Sequence, residues 1–221
     1  MLSISAKQPA SKTSLLVVRH GETEWNAGQR FQGHADSPLT PRGEAQARAL
    51  GRRLRRVEFQ HLICSDLGRA QRTAALIAAQ TGHAVEIDER LRERHYGVLE
   101  GLDVEEIQGR FPAIWACLAQ NDPDYAIPGG ESMKAHYLRN IAFVEAHLAA
   151  RPGTRALLVV HGGVLDSFFR YTTRLPLTHP RCFTSANAGL SVFSHGIFHG
   201  SLRWVIETWN DVGHLDAPEA P

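Results

Sequence analysis

The sequence is poor in cysteine, with three residues (Cys64, Cys117 and Cys182) in a chain of 221. An odd number of widely spaced cysteines does not suit a disulfide framework, and the absence of a Cys-x-x-Cys pair argues against a thiolate zinc site. The sequence also has no carboxylate cluster typical of a magnesium site. We therefore expect a cytoplasmic protein that uses neither a metal nor a cofactor.

Long apolar runs and an excess of charge are also lacking. Lysine and arginine number 24 against 23 for aspartate and glutamate, so no general attraction to nucleic acid or to a membrane surface is expected. No apolar run is long enough to span a bilayer. The chain is compatible with a homodimer. Residues 1–13 are polar and predict a disordered leader, followed by a single catalytic domain over residues 14–215.

Short apolar segments alternate along the chain with segments of helical character. This alternation is typical of an α/β, three-layer sandwich, in which a mostly parallel sheet carries helices on both faces. The late segments 190–193 and 202–207 predict a hairpin. The expected earlier strands are 15–18, 61–64, 85–87 and 156–160. The expected helices are 41–55, 65–80, 104–110, 113–120, 132–150 and 164–171.

Two of the apolar segments share an unusual ending. Leu-Leu-Val-Val is followed by Arg19-His20-Gly21 in the first, and the same four residues are followed by His161-Gly162 in the second. In open α/β sheets, ligands bind outside the carboxyl ends of the strands. If the two strands are parallel neighbours, His20 and His161 face one another across such a crevice.

Cationic and polar groups are expected at the same edge of the sheet. Arg19, Arg69 and the helix start at Gly162 favour a tetrahedral anion, because guanidinium groups and helix N-termini both bind phosphate. A neutral imidazole can attack phosphorus, and the neighbouring cations can neutralise the charge on the phosphoryl oxygens. Thr23, which follows the first strand, is a further candidate for contact with a small phosphorylated substrate, the partner that these groups predict.

The leaving alkoxide of such a reaction needs a proton from an acid. Glu93, in Arg92-Glu93-Arg94-His95-Tyr96-Gly97, is the first candidate because it follows the third strand in an irregular loop. Glu22, Asp66 and Glu100 are alternatives that the sequence does not separate firmly from it.

Several motifs together resemble the histidine phosphatase superfamily, in its phosphoglycerate-mutase-like branch. The resemblance implies a six-stranded sheet between helices, His20 as the phosphorylated nucleophile, and a phosphate pocket of Arg19, Arg69 and His161. It also implies assistance from Asn26 and Gln32, and Glu93 as the proton donor. The motifs that carry it are Arg19–Asn26, Phe31–Thr40, Ser65–Thr73, Glu93–Gly97, Gly129–Ser132 and Val160–Gly162.

Three features favour a phosphomonoesterase over a 2,3-bisphosphoglycerate-dependent phosphoglycerate mutase within this resemblance. The mutases usually carry a longer, basic insert where this chain has the short segment Leu102–Asn121 with one arginine, Arg110. They usually read His-Gly-Asn-Ser-Leu-Arg where this chain has Asp166 in place of the arginine. The segment Gly129–Ser132 and the tail around Trp209 resemble the phosphatases.

Glu93–Gly97 resembles the mutases, which keeps the mutase as the alternative. A catalytically silent phosphate-binding module is a third hypothesis, which no residue favours. Residues 102–135, on which substrate choice depends, carry no clear motif.

Overall fold

The computed structural model describes residues 12–215, so residues 1–11 of the expected leader lie outside the described residues. Thr13 belongs to the first strand rather than to a leader, and Lys12 pairs with Glu207 of the last strand. The strands are β1 (Thr13–Arg19), β2 (His61–Cys64), β3 (Val85–Ile87), β4 (Arg155–Val160), β5 (Leu190–Phe198) and β6 (Ser201–Asp211). The helices are α1 (Glu24–Ala27), α2 (Pro41–Leu54), α3 (Gly68–Thr81), α4 (Val104–Arg110), α5 (Pro112–Ala119), α6 (Met133–Ala150) and α7 (Gly162–Thr173).

The six strands form one sheet in the order β3-β2-β4-β1-β5-β6. Strands β3, β2, β4 and β1 pair in parallel, whereas β5 runs antiparallel to both of its neighbours. The expectation of a mostly parallel six-stranded α/β sheet is confirmed.

The alternation of side chains along the strands places helices on both faces of the sheet. Leu16 and Val18 of β1 pack with residues of α2 and α3, whereas Leu15 and Val17 pack with residues of α6 and α7. Successive side chains of a strand point to opposite faces, so a continuous apolar run serves two cores at once. Both cores lie beneath the strand ends that carry the histidines.

A third, smaller apolar cluster lies apart from these two cores. Its buried residues are Leu99, Ile107 and Ile127, with Phe31 and Trp115 packed against them. It joins α4 and α5 to the loops that precede and follow them, and we call these parts together the cap. No helix within residues 12–215 is both long and apolar enough to cross a membrane.

Several element boundaries differ from those expected. Helix α3 begins at Gly68 rather than at Ser65, because the Ser65 hydroxyl accepts the Leu67 N–H in a local turn. The short helix α1 was not predicted, although Thr23 and Asn26 cap its first turn reciprocally. The hairpin strands β5 and β6 are also longer than their apolar segments suggested.

Candidate active site

The ends of β1 and β4 bring the two predicted histidines together. The strands are paired in parallel, with Arg19 opposite Val160, so His20 and His161 follow neighbouring residues at the same edge of the sheet. Their ring centroids lie 5.2 Å apart. The two histidines therefore lie side by side, as the shared sequence pattern predicts.

The His20 ring is fixed by its own backbone. Its Nδ1 lies 2.8 Å from the carbonyl oxygen of Gly21, which can only accept a hydrogen bond, so Nδ1 carries the proton. Nε2 then keeps its lone pair, as a nucleophile requires. Burial lowers the pKa of His20 well below 6.5, and the charges of Arg69 and Arg19 lower it further. The imidazole is consequently neutral near pH 7.

His161 is completely buried and has a different environment. Neither of its ring nitrogens has a hydrogen-bond partner among residues 12–215. Burial lowers its pKa well below 6.5, and the positive charge of Arg69 adds to this effect. A neutral imidazole with an unpaired N–H is suited to donate a hydrogen bond to an anion that enters beside His20.

Arg69 is held rigidly at the start of α3, with 2% of its surface exposed. Its terminal nitrogens donate to the carbonyl oxygens of Gly33 (2.7 Å) and Ala35 (3.0 Å) and to the Asp36 carboxylate (3.0 Å). Its buried Nε has no partner among the described residues, and neither has the buried Nε of Arg19. Unpaired buried donors are costly, so these two groups point to an anionic ligand.

The three polar residues expected around the substrate divide into two groups. Asn26 and Gln32 line the cavity at this site. Thr23 does not line it, because it is fully buried behind them. The Thr23 Oγ1 accepts the Asn26 N–H (3.1 Å) and a hydrogen from the Gln32 amide (2.7 Å). Thr23 therefore holds the cavity wall rather than contacting a ligand.

Glu93 faces this cluster across the cavity. Its carboxylate accepts the backbone N–H groups of Arg94 (2.8 Å) and Gly163 (3.0 Å). Burial raises its pKa, but His136 and the two N–H donors lower it, and the net direction is downward. A Cβ at Gly163 would lie 2.1 Å from the Glu93 carboxylate, so a side chain there would displace the carboxylate from this position.

The alternative acids have other roles. Glu22 accepts from Thr40 and Arg42, and Asp66 pairs with Arg92. The Glu100 carboxylate accepts backbone N–H groups of the loop between α1 and α2, including that of Ala35 (2.8 Å). None of these three carboxylates lines the cavity, whereas Glu93 does. The geometry therefore favours Glu93.

The cavity has a volume of about 400 Å³ and includes side chains that the sequence reasoning missed. His136 of α6 is almost completely buried, with its Nε2 3.8 Å from the Glu93 carboxylate, and burial lowers its pKa to about 4. Asp166 and Arg170 form an ion pair on α7 (2.9 Å), and Arg181 lies at the rim. No local motif indicates His136, Arg170 or Arg181, whereas Asp166 stands in the motif that follows His161.

Fold and site together define an α/β protein with a strand-end cleft that suits a phosphate group. The chain belongs to the histidine phosphatase superfamily (branch 1), whose family model matches residues 15–212.

Named relatives include both kinds of enzyme that the sequence suggested. The chain is 41% identical to the probable phosphoglycerate mutase GpmB of Salmonella choleraesuis over 203 residues, covering 91% of this chain and 94% of the relative. The fold matches a mycobacterial glucosyl-3-phosphoglycerate phosphatase with a TM-score of 0.79 at 32% identity, covering 89% and 98% of the two chains. It matches the alpha-ribazole phosphatase of Shigella flexneri with a TM-score of 0.78 at 29% identity, covering 90% and 96%.

Proposed function

We propose that the protein is a metal-independent phosphomonoesterase that hydrolyses small phosphorylated metabolites through a phosphohistidine on His20. The observation that carries the proposal is the arrangement of His20 with Nε2 unprotonated, beside His161 and the unpaired Nε groups of Arg19 and Arg69. These groups supply a nucleophile and hydrogen-bond donors for a phosphoryl group in one buried place.

The reaction takes place in two displacements. In the first, Nε2 of His20 forms a bond to phosphorus while the bond from phosphorus to the ester oxygen breaks, and Glu93 gives its proton to the leaving alkoxide. In the second, the Glu93 carboxylate takes a proton from water while the water oxygen forms a bond to phosphorus and the bond from phosphorus to Nε2 of His20 breaks. Inorganic phosphate leaves, and both His20 and Glu93 return to their initial states.

The environment of Glu93 has to change for this role. In the free protein its pKa is lowered, mainly by His136 and two backbone N–H groups against the effect of burial, so the carboxylate is ionised near pH 7. A dianionic ester that binds next to Glu93 raises the pKa, because two like charges in one buried site disfavour ionisation of the acid. Substrate binding therefore favours the uptake of a proton from solvent by Glu93, which prepares the proton donor.

The structural neighbours support a phosphatase. The mycobacterial glucosyl-3-phosphoglycerate phosphatase is known in complexes with VO3 and with inorganic phosphate, so a protein of the same fold holds such anions. Asp166 lines the cavity here and is paired with Arg170, so this position offers no free cation to a second anionic group.

A chromogenic ester such as p-nitrophenyl phosphate, assayed with excess chelator, tests this proposal. We expect turnover in the wild-type protein and acid-labile phosphate on the protein in rapid-quench samples, with both lost in His20→Ala. Wild-type activity in His20→Ala would refute the phosphohistidine, and activity that disappears with the chelator would refute metal independence.

The mutase is a second candidate because a relative at 41% identity bears that name. The mutase would be favoured if the protein interconverts 3- and 2-phosphoglycerate far faster than it releases phosphate. This interconversion would also have to depend on 2,3-bisphosphoglycerate. A panel of phosphorylated metabolites assayed beside it would identify the preferred substrate class.

A further inference from the structure

Arg181 belongs to the segment 174–189 that connects α7 to β5. This segment crosses the strand ends and is attached to the site at several points. The Ser185 carbonyl accepts a hydrogen bond from Arg19 (2.7 Å), and the Ala188 N–H donates to the carbonyl of Arg19 (2.9 Å). The Asn187 amide donates to the carbonyl of His20 (3.0 Å) and to Asn26 (3.0 Å). The segment therefore has a fixed position over the cavity.

The guanidinium group of Arg181 is oriented although the residue is exposed. It stacks on the Phe183 ring, with 4.6 Å from Cζ to the centroid, and donates to the Ser185 hydroxyl (2.8 Å). Phe183 is itself packed between Phe169 and Trp209. An exposed arginine usually loses much side-chain entropy on binding a ligand, and this cost is smaller for a guanidinium that is already held in place.

Arg181 is directed to the point where a phosphate would meet the start of α7. A Cβ on Gly162 would lie 3.8 Å from Arg19 Nε and 3.9 Å from Arg181 Nη1, so both guanidinium groups approach the same position. Burial lowers the pKa of Arg19, and the charges of Arg181 and Arg69 lower it further, while Glu93 raises it. Like charges placed this close are stabilised by an anion between them.

The charge of Arg181 is not neutralised by the protein itself. Within residues 12–215, no carboxylate lies within 4.0 Å of its guanidinium nitrogens, whereas Arg30 and Arg170, also at the cavity, are paired with Glu106 and Asp166. We propose that Arg181 is a third arginine of the phosphoryl site and that it contacts the non-bridging oxygens of the bound phosphate group from the solvent side. This inference rests on the proposed function for its substrate, but not for its test.

Binding of inorganic phosphate and orthovanadate to wild-type protein, Arg181→Gln and Arg181→Lys, measured by calorimetry, tests the inference without any turnover. We expect Arg181→Gln to weaken both ligands by roughly 10- to 100-fold, as is typical for a lost hydrogen bond to a charged group. Arg181→Lys should recover part of the loss. Arg174→Gln, an exposed arginine of the same segment that does not line the cavity, is the matched control and should bind like wild type.

Kinetics on two esters then show what Arg181 contacts. For p-nitrophenyl phosphate and for 3-phosphoglycerate, Arg181→Gln should lower kcat/KM by the same factor, because the phosphoryl group is common to both. Ser185→Ala, which frees the guanidinium without removing it, should give a smaller loss for both esters.

Three results would overturn the inference. Phosphate binding that is unchanged in a folded Arg181→Gln protein would show that the residue does not reach the anion. A loss confined to the carboxylate-bearing ester would assign Arg181 to the leaving group. An equal loss in Arg174→Gln would show a general effect of surface charge. If no ester is hydrolysed, the proposed function fails, and the phosphate-binding series still decides the role of Arg181.

Discussion

The two strand–histidine–glycine units, at β1 and β4, are nearly identical in sequence and adjacent in the sheet, but their histidines are held differently. His20 has one ring nitrogen bonded to the carbonyl of the next residue, Gly21. His161 has no partner for either ring nitrogen among the described residues. Only the first histidine is therefore held in a single tautomer by its own unit.

The difference comes from the chain that follows each strand. After His20 the chain enters a loop, so the Gly21 carbonyl is free to turn back to the imidazole. After His161 the chain enters α7, where backbone carbonyls bond along the helix, beginning with His161 itself and the Leu165 N–H (3.1 Å). One motif thus gives a histidine with a fixed tautomer before a loop and a histidine with two unpaired ring nitrogens before a helix.

The largest effect that separates the two units is expected from His161→Ala. Removing a donor to the phosphoryl group should lower kcat/KM by roughly 10³-fold, a typical cost for such stabilisation. Acid-labile phosphate should still accumulate on His20 in rapid-quench experiments. Complete loss of phosphohistidine in folded His161→Ala would show that the two histidines are not divided in this way.

Glu93→Gln tests the acid that is bonded to the β4 unit through the Gly163 N–H. We expect a loss of about 10²-fold for an alkyl phosphate, because its alkoxide needs a proton, and a smaller loss for p-nitrophenyl phosphate. Steady-state kinetics on both esters provide the measurement, with Glu22→Gln as the control outside the cavity. An equal loss for both esters would argue against proton donation.

The pH dependence of kcat/KM should distinguish the protonation state that His20 needs from the one that Glu93 needs. Both pKa values are lowered, and His20 has to be neutral while Glu93 has to be protonated. As the pH rises, neutral His20 is not lost, but the protonated fraction of Glu93 falls, so kcat/KM should decrease by up to about tenfold between pH 6 and 7. A pH profile that rises over this interval would contradict the assignment, and Glu93→Gln should flatten it.

The smallest effect is expected from a substitution at Thr73, whose hydroxyl supports the β1 unit. The Gly21 N–H donates to the Thr73 hydroxyl (3.0 Å) in a fully buried place. Thr73→Val leaves this donor unpaired and should lower the free energy of unfolding by about 1–3 kcal/mol, measured by denaturant titration. Thr173→Val, whose hydroxyl bonds at the surface, is the control and should change stability less. Equal destabilisation would mean that burial of the Gly21 bond is unimportant.

The sequence was most informative where chemistry follows a buried strand. Leu15–Val18 and Leu157–Val160 predicted neighbouring strands, and the structure places Arg19, His20, Arg69 and Glu93 at one cavity, with the fully buried His161 beside His20. A short segment of uniformly apolar residues is compatible with few structures other than a buried strand. A polar residue that follows such a strand therefore lies at a known edge of the sheet. Their catalytic roles remain predictions.

The sequence was least informative where a side chain reaches the site from a distant segment. His136 lies on α6, whose pattern predicts a helix but not which residue contacts Glu93. Arg181 lies in a segment without regular structure, and its orientation depends on Phe183 and Ser185. Thr23 shows the converse, since its polarity predicted substrate contact but its hydroxyl is used to cap α1.

The separate packing of the cap has a consequence for how this protein could change. Leu99, Ile107 and Ile127 form a cluster that shares no buried residue with the two cores of the sheet. Residues 102–127 could therefore be exchanged for those of a relative while the reacting groups keep their support. In evolutionary terms, the sequence of this segment can diverge without disturbing the packing on either face of the sheet.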